Sequence, residues 1–257
     1  MKAPVVIIGI GEVGGVFARG FLRAGHPVYP VTRTQDLRAE AERLPDPALV
    51  VLAVAENAVQ EQLAALPPAW RGRLALLQNE LLPGDWQRHG YTDPTVISVW
   101  FEKKRGQDVK VLLPSPVYGP GAALLQEALA AVDIPARIVA TQTAMEFELV
   151  LKNVYILSTN IAGLQCGGTV QTLWREHPEL ATTVSHEVMA LQEQLVGHEL
   201  DREALLAGMV EAFAGDWEHQ CMGRSAPARL QRALALGRQK GVRLDTLQQI
   251  AANCLES

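Results

Sequence analysis

The sequence predicts an α/β Rossmann domain followed by an all-helical domain, and three observations carry that prediction. A GxGxxG loop near the start of the chain sits directly between an apolar run and a helical pattern. β-like runs alternate with helical segments up to about residue 140, and beyond that point β-branched runs vanish and 3.6-residue periodicity takes over. The 257 residues, divided as 1–140 and 141–257, can bury real cores without disulfides or metals. With 23 Lys and Arg against 28 Asp and Glu the formal charge is −5, a poor balance for binding nucleic acid. Cys166, Cys221 and Cys254 show no CxxC spacing, which points to a reducing compartment and away from a disulfide framework or a zinc cluster. No secretory signal opens the sequence, so the expected location is the cytoplasm.

In chain order the expected strands are Val5–Ile8, Val28–Val31, Leu49–Val54, Arg73–Gln78, Val96–Phe101, Val109–Leu113 and Ala136–Val139. Helical patterns fall between them at Val13–Arg23, Asp36–Arg43, Asn57–Leu66 and Gly121–Val132, and prolines punctuate the connections. The rhythm is that of a parallel sheet covered by helices. The second half reads as helices over Ala144–Ile161, Pro178–Leu195, Arg202–Phe213, Ala226–Gln239 and Asp245–Leu255. Asn153 to Trp174 contains no charged residue. Its Asn153, Asn160, Gln165 and Gly167-Gly168 make it a buried segment rather than a membrane span.

Gly9-Ile10-Gly11-Glu12-Val13-Gly14 follows the first strand and opens the first helix, as a pyrophosphate-binding turn requires. Glu12 places a negative charge beside that anion site and must point away. Ala53 and Val54, at the end of the third strand, are expected among the cofactor-binding residues. After the second strand the chain reads Val31-Thr32-Arg33-Thr34, with no carboxylate at the strand tip to take a ribose 2′-hydroxyl. Arg33, helped by a Thr32 or Thr34 hydroxyl, suits a 2′-phosphate, so NADP is favoured over NAD; Asp36 serves as a helix cap.

The N-terminal GxGxxG, the Arg after the second strand, and a helical half that begins with the lysine-bearing Leu149-Val150-Leu151-Lys152-Asn153 together resemble the ketopantoate reductase family, within the wider group related to 6-phosphogluconate dehydrogenase. The resemblance implies hydride transfer from NADPH to a 2-keto acid, with Lys152 protonating the nascent alkoxide. Lys152 in so apolar a segment needs a cleft, a partner or a snorkelled exit; an ion pair with Glu148 at i−4 satisfies the same requirement. The family's asparagine eight residues on is matched by Asn160, whereas Ile156 stands four residues on. Asn153 and Asn160 are seven apart, near one helical face, and could present two amides to a substrate or satisfy backbone groups at the Gly163 and Gly167-Gly168 breaks.

Gln78-Asn79-Glu80 is similar to the family's QNG turn, which makes Asn79 an orienting donor between cofactor and substrate; with Glu80 for Gly, the turn is expected to avoid positive φ. Ala53-Val54-Ala55-Glu56 lacks the family's lysine near the strand end. Gly223-Arg224-Ser225-Ala226-Pro227 resembles the turn that touches the substrate carboxylate, implying Ser225 and Arg224 as substrate residues, although Ser225 is equally a helix N-cap. The family's glutamate about ten residues further on has no counterpart, since no Glu lies between Glu218 and Glu256. That segment carries Arg224, Arg229, Arg232, Arg238, Lys240 and Arg243, expected as a solvated face or, at Arg224, an attractor for an anionic substrate. Trp100 to Arg105 could line the mouth of the cleft expected between the domains. His219 and Cys221 lack metal spacing. The sequence thus reads as an NADP-dependent reductase of a small, anionic carbonyl compound, a homodimer by family resemblance; the rival reading is a non-catalytic NADP-binding sensor derived from such a reductase.

Overall fold

A computed structural model describes residues 2–255, which form two compact units that divide between Leu149 and Val150. The first contains β1 (Val5–Ile8), α1 (Glu12–Arg23), β2 (Val28–Val31), α2 (Leu37–Arg43), β3 (Leu49–Leu52), a 3-10 turn at Glu56–Ala58, α3 (Val59–Ala65), α4 (Pro68–Arg71), β4 (Leu74–Leu76), α5 (Pro83–Gln87) and β5 (Thr95–Ile97). It continues through β6 (Phe101–Glu102), β7 (Lys110–Val111), β8 (Ser115–Tyr118), α6 (Ala122–Ala130) and β9 (Ala136–Ile138). α7 (Gln142–Cys166) carries the chain across the division, and the second unit adds α8 (Val170–Glu176), α9 (Pro178–Val196), α10 (Arg202–Gly215), α11 (Ala226–Lys240) and α12 (Asp245–Leu255).

Seven strands form one sheet in the order β2-β1-β3-β4-β5-β8-β9. Every residue of β1 and β3 is buried, which explains why both read as continuous apolar runs: strands in the middle of a parallel sheet have no solvent face. Phe17 and Phe21 of α1 join Leu125 and Leu129 of α6 in one core with Val5, Ile7, Leu49 and Val51 of the sheet. Because β2 lies on one side of β1 and β3 on the other, the chain reverses direction of winding between β1 and β3. Ligand crevices in open α/β sheets form there, beyond the carboxyl ends of the strands.

The sheet departs from the expected parallel arrangement in its last two strands. β5 pairs antiparallel with β8, and β8 then pairs parallel with β9. β8 was not expected as a strand, because Pro114, Pro116 and Pro120 mark it as a connection. Pro116 cannot donate to a ladder, yet its carbonyl accepts from Ser98 N at 3.0 Å, so only half of its pairing is lost. The expected Val96–Phe101 strand breaks in two: β5 stays in the sheet, while β6 pairs with β7 in a separate hairpin.

In the helical unit α9 packs against α8, α10, α11 and α12. Asn153 and Leu157–Ala162 are buried, but Gln165 and Gly168 are exposed where α7 ends in the Gly167-Gly168 turn, so the charge-poor segment is interior only in its first part; no helix among the described residues is long and apolar enough to cross a membrane. Thr169 caps the unanticipated α8 through Thr172 N. Arg202 at the start of α10 grips Glu193 of α9 with two bonds, Nε to Oε1 at 2.9 Å and Nη2 to Oε2 at 2.5 Å. This guanidinium holds the Glu193 carboxyl below its ordinary range. A depressed carboxylate stabilises the fold above its unfolded pKa and stops doing so as pH falls through the folded one. Arg202→Gln is therefore expected to unfold at lower urea than wild type above about pH 5, the gap closing on acidification; urea midpoints across pH check this.

Candidate functional site

The elements expected to bind a nucleotide meet at the reversal point of the sheet. Gly9 N donates to Val31 O at 2.9 Å and Ala53 N to Ile8 O at 2.8 Å, so the turn is pinned between the ends of β2 and β3. Gly9 takes φ +95°, and a Cβ there would lie 2.6 Å from Ala53 O, which a side chain does not permit. A Cβ on Gly14 would lie 2.1 Å from Gly9 O. Gly11 differs, with nothing within 4 Å of its would-be Cβ. Gly9 and Gly14 are thus required by the protein's own packing, and Gly11 leaves open space at the N-terminus of α1. That terminus receives no side-chain cap from Gly11. Unsatisfied N–H groups, a positive helix end and an open cradle together fit the diphosphate of a dinucleotide.

Other expected residues surround the cradle. Val13 turns toward the core, and Val54 Cγ1 lies 3.4 Å from the would-be Gly9 Cβ. Arg33 is exposed at the end of β2. Thr32 is locked into its turn, since its N and Oγ1 both donate to Gln35 Oε1, at 2.8 and 3.0 Å, and its Oγ1 lies 3.1 Å from that of Thr34. Asp36 accepts from Ala39 N at 2.8 Å as the cap of α2. Glu12 points its carboxylate to Lys103 Nζ at 3.5 Å.

One strand further along, Gln78 Nε2 donates to Leu52 O at 2.5 Å, tying the end of β4 to β3. Asn79 Nδ2 donates to Glu56 Oε1 at 3.0 Å, so an acid of the segment that lacks the family's lysine holds this amide. Glu80 corrects an expectation: it adopts φ +60°, the left-handed conformation the missing glycine would have taken. The turn keeps its shape and accepts backbone strain of about 1–2 kcal/mol.

In the helical unit Lys152 is half-buried, and its Nζ lies 5.3 Å from the centre of the Tyr155 ring. Tyr155 packs on Phe213 and His219, with ring centres 5.7 and 6.3 Å away, and Trp174 and Trp217 extend this aromatic wall from Phe213. A cation over a ring in an apolar setting is stabilised by the ring's negative face. Glu148, the i−4 neighbour, accepts from Arg137 Nη2 at 2.6 Å.

The two asparagines after Lys152 do not act together. Asn153 is 2% exposed and donates to Gln192 Oε1 of α9 at 3.0 Å. Asn160 donates to Cys221 O at 3.1 Å and accepts from Arg229 Nη1 at 2.8 Å. Both amides therefore bond within the helical unit, the backbone-satisfying alternative for Asn160. Arg229 is 7% exposed, so the solvated-face expectation fails at this residue. The signal was present, for Ala226, Arg229, Leu230, Ala233 and Gly237 share one helical stripe. Cys221 packs on Gly163, and burial pushes its thiol up to about 12. Ser225 stands at the N-cap position of α11 without making the capping bond expected of it; its hydroxyl and Arg224 are both exposed.

A sheet wound in both directions from a glycine-rich turn, its last two strands reversed, and a helical unit entered through a long helix make up the fold seen in solved ketopantoate reductases. More particularly, the chain is similar in structure to the 2-dehydropantoate 2-reductase of Geobacter metallireducens GS-15, at a TM-score of 0.68 and 15% identity, covering 98% of this chain and 99% of that one. It is similar also to the dimeric ketopantoate reductase of Staphylococcus aureus, at 0.66 and 15% over 98% of both chains, and to a D-mandelate dehydrogenase solved with NADH, at 0.69 and 12% over 98% of both. These likenesses establish the fold. No protein-family model and no curated protein sequence matches the chain.

Proposed function

We propose that this protein is a cytoplasmic NADPH-dependent reductase of a small anionic carbonyl compound of the 2-keto acid type. The observation that carries the reading is the cradle of Gly9, Gly11 and Gly14 at the sheet's reversal point, with Arg33 beyond β2 and the next acid in the sequence, Asp36, bonded as a helix cap. A nicotinamide dinucleotide, when bound, supplies the hydride. The chain's own residues bind and orient: amide groups at the start of α1 receive the diphosphate, and Arg33 receives a 2′-phosphate with two charge-assisted bonds. Asn79, steadied by Glu56, orients the reacting groups. Lys152 gives its Nζ proton to the carbonyl oxygen as negative charge grows there and recovers it from water. Arg224 and Ser225, both exposed on the approach to α11, recruit the substrate carboxylate.

Titrating the folded protein with NADPH tests the reading, and a folded sample with no measurable affinity overturns it. The cofactor preference has its own test. Arg33→Asp is expected to lower the preference for NADPH over NADH by about tenfold or more, from the loss of bonds worth about 1.5–3 kcal/mol; an unchanged ratio of the two dissociation constants removes Arg33 from the site.

One observation favours a second reading, that of a non-catalytic NADP sensor: Asn160 spends its amide on Cys221 and Arg229. A panel of small 2-keto acids that leaves NADPH unconsumed, with the cofactor bound, would establish the sensor instead.

A further inference from the structure

Glu12 is out of place in a phosphate cradle. It is the first residue of α1, and an acid there suits the positive helix end but repels an incoming diphosphate. The structure places a cation against it. Lys103 follows β6, and its Nζ donates to Lys104 O at 2.9 Å and Gln107 O at 2.5 Å, besides lying 3.5 Å from Glu12 Oε2. An ammonium has three donors. Two of them close the turn of the β6–β7 hairpin, and the third faces the carboxylate at the cradle. A second contact holds the hairpin to the same helix, since the Phe101 ring lies 6.1 Å from that of Phe17. Between hairpin and helix lies a cavity of about 300 Å³ lined by Ile10, Gly11, Glu12, Arg19, Lys103 and Asp108, two acids balanced by two bases.

We propose that Lys103 is a positioning residue for the cofactor: it neutralises Glu12 and so makes an acid-bearing cradle able to accept a diphosphate, with the β6–β7 hairpin a working part of the nucleotide site. The inference rests on the dinucleotide reading of the first unit. Lys103 acts through Glu12, so its loss should matter only while Glu12 is charged.

The test is the dissociation constant for NADPH in wild type, Lys103→Ala, Glu12→Gln and the double variant, each confirmed folded by circular dichroism. Lys103→Ala is expected to bind about tenfold more weakly, because an unbalanced carboxylate then faces the phosphates. Glu12→Gln should bind at least as tightly as wild type, and the double variant should recover to within about threefold of it. Raising salt should shrink the Lys103→Ala defect, since repulsion is screened and a misplaced hairpin is not. Wild-type binding with an unaffected Lys103→Ala overturns the inference alone, as does a defect that persists in the double variant. No binding by wild type overturns the dinucleotide reading and this inference with it.

Discussion

Lys152→Ala is expected to lower the single-turnover rate of NADPH oxidation by about 10²- to 10⁴-fold, the range a positioned general acid contributes. The dissociation constant for NADPH should stay within about twofold of wild type, because Lys152 belongs to the helical unit and the glycine cradle proposed to bind the diphosphate to the other. The Tyr155 contact at 5.3 Å contributes about 0.5–1 kcal/mol to stability, partly offset by the better helix propensity of alanine. Lys152→Arg separates charge from proton transfer. A guanidinium keeps the attraction for an anion but holds its proton too firmly to serve as the acid, so substrate binding should survive while the rate stays low. The measurement is stopped-flow loss of NADPH absorbance with whichever 2-keto acid the wild type reduces. A Lys152→Ala rate within about threefold of wild type would remove the residue from the role.

Much of the fold is legible in the sequence itself. β1 and β3 are read correctly because strands buried on both faces leave unbroken apolar runs, and α1 because its glycines and its amphipathic stripe fall in register. β8 is hidden by its own prolines, whose local signal says turn while the sheet supplies partners on both sides. Asp36 as a cap follows from spacing alone, since a cap is a contact three residues long. Asn153 and Asn160 illustrate the limit: helical spacing places them near one face, but their partners Gln192, Cys221 and Arg229 arrive from other helices, and no local pattern announces which amide will be consumed. Glu80 shows the same limit. A glutamate in place of glycine argues against positive φ, but the ties from Gln78 to Leu52 O and from Asn79 to Glu56 hold the chain where φ is positive.

The glycine cradle gives the other large expected effect, and it depends on contrasting two alanines a turn apart. Gly14→Ala puts a methyl group where Gly9 O already lies, 2.1 Å away, and the loop cannot yield without pulling Gly9 off Val31 O. Overpacking of this kind costs about 1–3 kcal/mol, so the melting temperature should drop and NADPH binding should weaken together. Such a result shows only that the turn is tightly packed. Gly11→Ala is the discriminating variant, because its Cβ meets nothing within 4 Å. Its cost to stability is confined to the poorer N-cap, about 0.5–1 kcal/mol. If the space over Gly11 is held open for a diphosphate, that methyl group stands in it, and affinity for NADPH should fall by about 100-fold or more while the fold persists. Isothermal titration beside a thermal melt reads both quantities on one sample. Affinity retained in Gly11→Ala would mean that the turn is glycine-rich for packing alone, and that the nucleotide, if bound, approaches the sheet elsewhere.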